Sequence, residues 1–212
     1  MHRDQRFTGH IAGVGTASGL RLVLGAWHTT PHGPFADVML AHPDGTRQLL
    51  APDPWVRDFV SATYTFDDAR VLPVRLARTG TGRASRWEVS AGPLEWSFAV
   101  GARDPLGLLL RAVPGPVGRS RSFAGITDAV ARRLLPGVRT LGTAGNGRTE
   151  WYAAADLHRI ADSRVRWRGR DAGPLAPVDP APQFGFGSTP RTPCLTALTS
   201  TCLLYTSPSP RD

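Results

Sequence analysis

The stretch LEWSFAV, residues 94–100, alternates large apolar side chains with small or charged ones. Successive side chains of a strand point to opposite faces, so this pattern predicts a strand with one apolar and one wet face. Leu20, Leu22 and Leu24 repeat it within 20–27. Residues 7–14, 35–40, 46–50, 69–78, 85–91, 138–143, 149–160 and 163–168 read as further strands, with 183–187 as a last short one. The connections are brief: HPDG at 42–45, Gly92-Pro93, and Gly145-Asn146-Gly147. Short turns join antiparallel neighbours. GVGTASG at 13–19 belongs with them, because a strand pattern follows it where a dinucleotide fingerprint requires a helix.

Two Asp-Pro pairs punctuate this series. Asp53-Pro54 and Asp104-Pro105 each offer a side chain that caps free amides and a proline suited to the first helical turn. Val56, Phe59, Val60 and Tyr64 then follow at helical spacing. A third helix is expected over 128–135, capped by Thr127. The fold class is therefore α+β, mainly antiparallel β. About nine or ten strands must hide their edges, which predicts a barrel or strongly curved sheet, with two or three short helices closing one end.

The chain has 212 residues and a formal charge of +8, and every one of its 25 basic residues is arginine. Asn occurs only at 146, and Ile only at 11, 126 and 160. Lys, Asn and Ile use AT-rich codons, so their scarcity points to a high-GC bacterial genome, the kind of chain a metagenome yields. Mutational bias thus accounts for much of the arginine. The charge would still attract anions. Without lysine there is no Schiff-base chemistry, phosphate-loop lysine or Ser-x-x-Lys hydrolase. No apolar leader follows the N-terminus, and no apolar run could span a bilayer, so a cytoplasmic protein without membrane insertion is expected.

The chain ends CLLYTSPSPRD, residues 202–212. Written back into codons, this peptide resembles a translated adapter of transposase-based sequencing libraries. The resemblance covers all of 202–212 and implies read-through rather than native structure. The expected organisation is one β-rich domain over 1–201, its natural C-terminus cut. Only Cys194 would then be native, which removes disulfides and cysteine zinc clusters.

The strongest candidate chemistry is RTEWYAAADLHRI, residues 148–160. In an unbroken strand Glu150, Tyr152, Asp156 and His158 share one face, with Trp151, Ala153, Ala155 and Leu157 opposite. Carboxylate, phenol and imidazole together suit acid–base work or recognition of a polar group. Trp87, Trp96 and Phe98 on apolar strand faces would wall a barrel cavity. The leading expectation is binding of a small apolar or amphipathic molecule, with Tyr152, Asp156 and His158 orienting its polar end and no cofactor. The alternative is a lyase, isomerase or cyclase using His158 and Asp156 as an acid–base pair. A third reading is anion or nucleic-acid binding through Arg159, Arg164, Arg166 and Arg168, although edge-strand protection explains such arginines more simply and makes nucleic acid the lesser partner. His28 and His32 have helical metal spacing, but Pro31 and Gly33 argue against a helix, and a third ligand, Asp37 or His42, would have to converge by folding; the histidines read as solvated loop residues, so no metal is expected. The sequence leaves the oligomeric state open.

Overall fold

The structure, a computed structural model, describes residues 3–113, 141–143, 149–185 and 189–204. Four strands open the chain: β1 (Arg3–Thr16), β2 (Arg21–Thr29), β3 (Phe35–Ala41) and β4 (Arg47–Ala51). They form an antiparallel meander through the expected turns, and GVGTASG is indeed a β1–β2 hairpin closed by Gly19 at φ 83°. Helix α1 (Pro54–Ser61) follows. Asp53 caps it, accepting the Val56 amide at 2.8 Å.

The segment 69–78, expected as one strand, is two: β5 (Asp68–Val71) and β6 (Val74–Thr79). Pro73 carries no amide hydrogen and cannot continue a ladder. β5 pairs in parallel with β4, whereas β6 pairs with β7 (Arg86–Ala91). β8 (Leu94–Arg103) and α2 (Pro105–Ala112) come next, with Asp104 capping the helix at the Leu106 amide. β9 (Leu141–Thr143), β10 (Thr149–Trp167), β11 (Arg170–Asp171), β12 (Leu175–Ala176) and β13 (Cys194–Leu204) complete the described elements. The helix expected over 128–135 and the 145–147 turn lie outside the described residues.

The main sheet runs β5-β4-β3-β2-β1-β13-β10-β8-β7-β6. β5 and β6 are consecutive in the chain but stand at opposite ends of this order. The sheet therefore curls on itself into a half-barrel, mostly antiparallel, with two short helices. The concave side is packed by residues from both arms: Leu22, Leu24, Val38 and Leu40 meet Trp87, Trp96, Phe98 and Val100. Burying each such side chain is worth about 1.5–3 kcal/mol. The convex side carries a second cluster, where Val56 and Val60 of α1 cover Val23, Met39 and Leu49. α2 lies against β10 through Gly107. A Cβ there would sit 2.5 Å from the Leu157 carbonyl oxygen, so only glycine allows this approach.

Three further expectations need correction. The strands expected over 149–160 and 163–168 are a single β10, and its register slips at Ala154/Asp156, His158/Ile160 and Ile160/Asp162. The stretch 183–187 holds no strand over its described residues; Phe184 is buried instead in the convex cluster, its carbonyl accepting the Thr65 amide. The last strand is β13, in the middle of the sheet between β1 and β10. β13 reaches Leu204, so Cys202 lies in it, buried opposite Gln5 and Glu150; residues 205–212 lie outside the described set. Cys194 is free, and burial pushes its thiol up to about 11.

Candidate functional site

The β-bulge at Ala155 decides which side chains meet. Ala154 pairs with Leu198 and Asp156 with Ala197, so Ala155 is extra. An extra residue reverses the inside–outside alternation beyond it. Tyr152 consequently points into the convex cluster, where its hydroxyl bonds that of Tyr64. Asp156 and His158 instead face the concave side, beside His10, Leu195 and Ala197. The expected single face of Tyr152, Asp156 and His158 does not exist. Glu150 sits before the bulge, opposite Cys202, and its side chain lies outside the described residues.

On the concave side two cavities adjoin. The smaller, about 180 Å³, is lined by polar groups: His10, Arg78, Ser85, Asp156 and His158. The larger, about 370 Å³, lies where the β2–β3 end faces β6; Ala26, Ala36, Val74 and Leu76 give it apolar walls, with Trp27 and Phe35, which pack against the convex cluster, at its edge. His10, Arg78 and Trp87 line both. β1 positions His10 on the same face as Ala12 and Val14, β6 supplies Arg78, and β7 supplies Trp87.

The electrostatics of this cleft are uneven. Burial, reinforced by the nearby Arg78 and His28 charges, pulls the His10 imidazole down to about 4. His10 is thus neutral at physiological pH, and its ring lies edge-on to Trp87 at 5.3 Å. Arg78 donates from Nε to Ser85 Oγ at 3.1 Å and stands 5.4 Å from the Trp87 ring centre, a cation–π distance. Among the described residues no carboxylate lies within ion-pairing distance of Arg78. Asp156 is different: Arg103 Nε reaches Oδ1 at 2.9 Å and Arg111 approaches Oδ2 at 3.7 Å. Despite partial burial, the Arg103 hydrogen bond and the Leu157 amide hold its carboxyl below the usual range. A carboxylate so stabilised is a weak base. His158 donates from Nδ1 to the Gly101 carbonyl at 3.3 Å, leaving Nε2 3.6 Å from Asp156 Oδ2.

Among the expected aromatic wall, only Trp87 lines the cleft. Trp96 and Phe98 are 2% and 0% exposed, packed on each other with ring centres 5.1 Å apart, and Trp96 donates to Ser163 Oγ at 3.0 Å. The arginines expected as an anion site do not converge. Arg159 pairs with Asp104 at 3.1 Å, Arg166 faces Glu95 at 3.7 Å, and Arg168 lies over Trp167 in the turn after β10. Arg164 and Arg166 share an open surface with Arg75, Glu88 and Glu95, so charges of both signs alternate there. Their strand is interior, paired with β8 from Ile160 to Trp167, so they guard no edge on that side. His32 stacks on Trp55 and pairs with Asp53, and His42 lies against Gln48. Among the described residues no group of three His, Cys, Asp or Glu side chains is placed to hold a metal. No helix among them is long and apolar enough to cross a membrane.

His10 and Arg78, absent from the expected site, are its centre. The signal for His10 was its place in FTGHIAGV, two residues before Ala12 on the inward face. Arg78 gave none, since only the curl brings β6 to β1.

No protein-family model and no curated protein matches the chain. Among solved structures, a Nitrosomonas europaea protein provisionally assigned as AttH is similar at 13% identity, with a TM-score of 0.33. The alignment covers 97% of this chain and 53% of that one, so the chain spans about half of its length. At that score the likeness carries no argument about fold or function.

Proposed function

We propose that the concave cleft binds a small amphipathic molecule with an anionic head, and that no covalent chemistry follows. The observation that carries this reading is the shared wall: His10, Arg78 and Trp87 join a polar cavity to an apolar one. Arg78, which has no carboxylate partner among the described residues, supplies the charge for a carboxylate or sulfonate head. Ala26, Ala36, Val74 and Leu76 receive the apolar body. Neutral His10 contributes a hydrogen bond without competing for the anion. Pockets of a few hundred Å³ with few polar groups are the usual geometry of small-ligand sites. A cytoplasmic setting in a high-GC bacterium belongs to the same reading and rests on composition.

The test is a thermal-shift and tryptophan-quenching screen with medium-chain fatty acids, isoprenoid acids and the matching alcohols. The acids are expected to stabilise the protein, and Arg78→Gln to lose that effect while sparing the weaker response to alcohols. No shift with any acid would overturn the reading.

A further inference from the structure

A further cavity, of about 40 Å³, lies on the convex face beneath α1. At about 10–15 Å³ of such space per water, it has room for about three waters or as many ligand heavy atoms. Gly25 and Asp37 form a cross-strand pair in its wall. Asp37 is 3% exposed, and its Oδ1 accepts from Trp27 Nε1 at 3.3 Å. Among the described residues no cation pairs with this carboxyl group. A buried carboxylate with one neutral donor needs either a proton or a counter-charge.

The arrangement is built around that group. A Cβ on Gly25 would lie 2.5 Å from Asp37 Oδ1 and 2.7 Å from Trp27 Nε1, so the glycine makes the space in which carboxyl and indole meet. Aromatic rings from Phe7, Phe35, Phe59 and Tyr64 make up part of the remaining wall, beside aliphatic Ile11, Val23, Met39 and Val60, with Phe7 and Phe59 stacked at 4.8 Å. Aromatic faces carry partial negative charge and attract cations, most strongly where water is excluded. An acidic group inside an aromatic cage is the complement of a small organic cation.

We propose that this cavity binds a small alkylammonium ion, with Asp37 as its counter-ion and the surrounding rings as its cage. The site shares Trp27 and Phe35 with the edge of the concave cleft but neither His10 nor Arg78, so Arg78→Gln and Asp37→Asn report on the two sites separately. Burial pushes the Asp37 carboxyl up to about 7, so the empty site holds a proton under mildly acidic conditions. An ammonium ion must displace that proton, and binding tightens as pH rises. Tyr64 and Tyr152, bonded to each other, are the other ionisable side chains on the cavity wall.

The experiment is calorimetric titration of the full chain with methylammonium, ethylammonium and tetramethylammonium chloride at pH 6 and pH 8, with sodium chloride as control. Methylammonium and ethylammonium should bind saturably, about fivefold or more tightly at pH 8 than at pH 6. Tetramethylammonium, with more heavy atoms than the space admits, should not bind. Asp37→Asn should weaken binding about tenfold or more. Phe59→Leu keeps the carboxylate, thins the cage and should weaken it several-fold; it decides the matter if Asp37→Asn does not fold. Absence of saturable heat at pH 8, an equal response to sodium, affinity independent of pH, or unchanged affinity in the folded variants would each overturn the proposal.

Discussion

Val71 and Val74 are three positions apart in the chain, yet Val71 ends the strand at one extreme of the sheet order and Val74 begins the strand at the other. Three extended steps reach at most about 11 Å. Leu72 and Pro73 therefore hold the two extremes of the sheet together, and the curl that forms the concave cleft follows from that short link.

Lengthening the link tests this. Inserting four glycine or serine residues after Leu72 should cost about 1 kcal/mol of loop entropy. The Tm should fall by about 2–4 °C, and the cleft's response to fatty acids should weaken. An unchanged Tm with unchanged ligand response would show that the link does not maintain the curl.

Deleting Ala155 removes this bulge. Tyr152 and Asp156 are then three positions apart, so plain alternation keeps them on opposite faces, and both the Tyr64–Tyr152 contact and the Arg103–Asp156 ion pair should survive. Stability should stay within about 1 kcal/mol of wild type. Urea unfolding measures it; a loss of several kcal/mol would show that closing the bulge shifts the register of β10 against β13.

Trp96 is core rather than ligand wall, so its truncation should act on stability alone. Trp96→Ala is expected to cost about 3–5 kcal/mol. Ser163→Ala, which strands the indole N–H, should cost about 1–3 kcal/mol. Fatty-acid affinity of the folded Ser163→Ala protein should match wild type, and a selective loss of affinity would move Trp96 into the site.

Asp37 sets a pH dependence whose sign is fixed by its raised value, from 3.8 to about 7. The folded state retains this proton between those values while the unfolded state releases it. The stability tied to the neutral carboxyl is complete below the unfolded value and is lost as pH rises through about 7. The full penalty is on the order of 4 kcal/mol. Wild type should be less stable at pH 8 than at pH 5 in urea titrations, and Asp37→Asn should flatten that part of the profile. Parallel profiles for the two proteins would show that Asp37 titrates normally.

Local chemistry wrote much of the fold in plain view. The alternation in 94–100 is borne out residue by residue: Leu94, Trp96, Phe98 and Val100 are all buried on the concave side. Both Asp-Pro pairs cap helices as expected, because a cap depends on only three or four neighbouring residues. β13 carries no such alternation: in CLTALTSTCLL, Leu195 and Leu198 are three positions apart and face opposite sides of the sheet.

Sequence alone determined most of the strands, the hairpins, the helix starts and the dominance of antiparallel pairing. Those rest on contacts between residues a few positions apart, where side-chain period and turn chemistry act directly. Tertiary structure alone decided that β5 and β6 part to opposite extremes, that Ala155 turns Asp156 and His158 inward, and that His10 meets Arg78. These depend on strand register and sheet curl, which arise from packing between distant segments and leave no periodic trace in the chain.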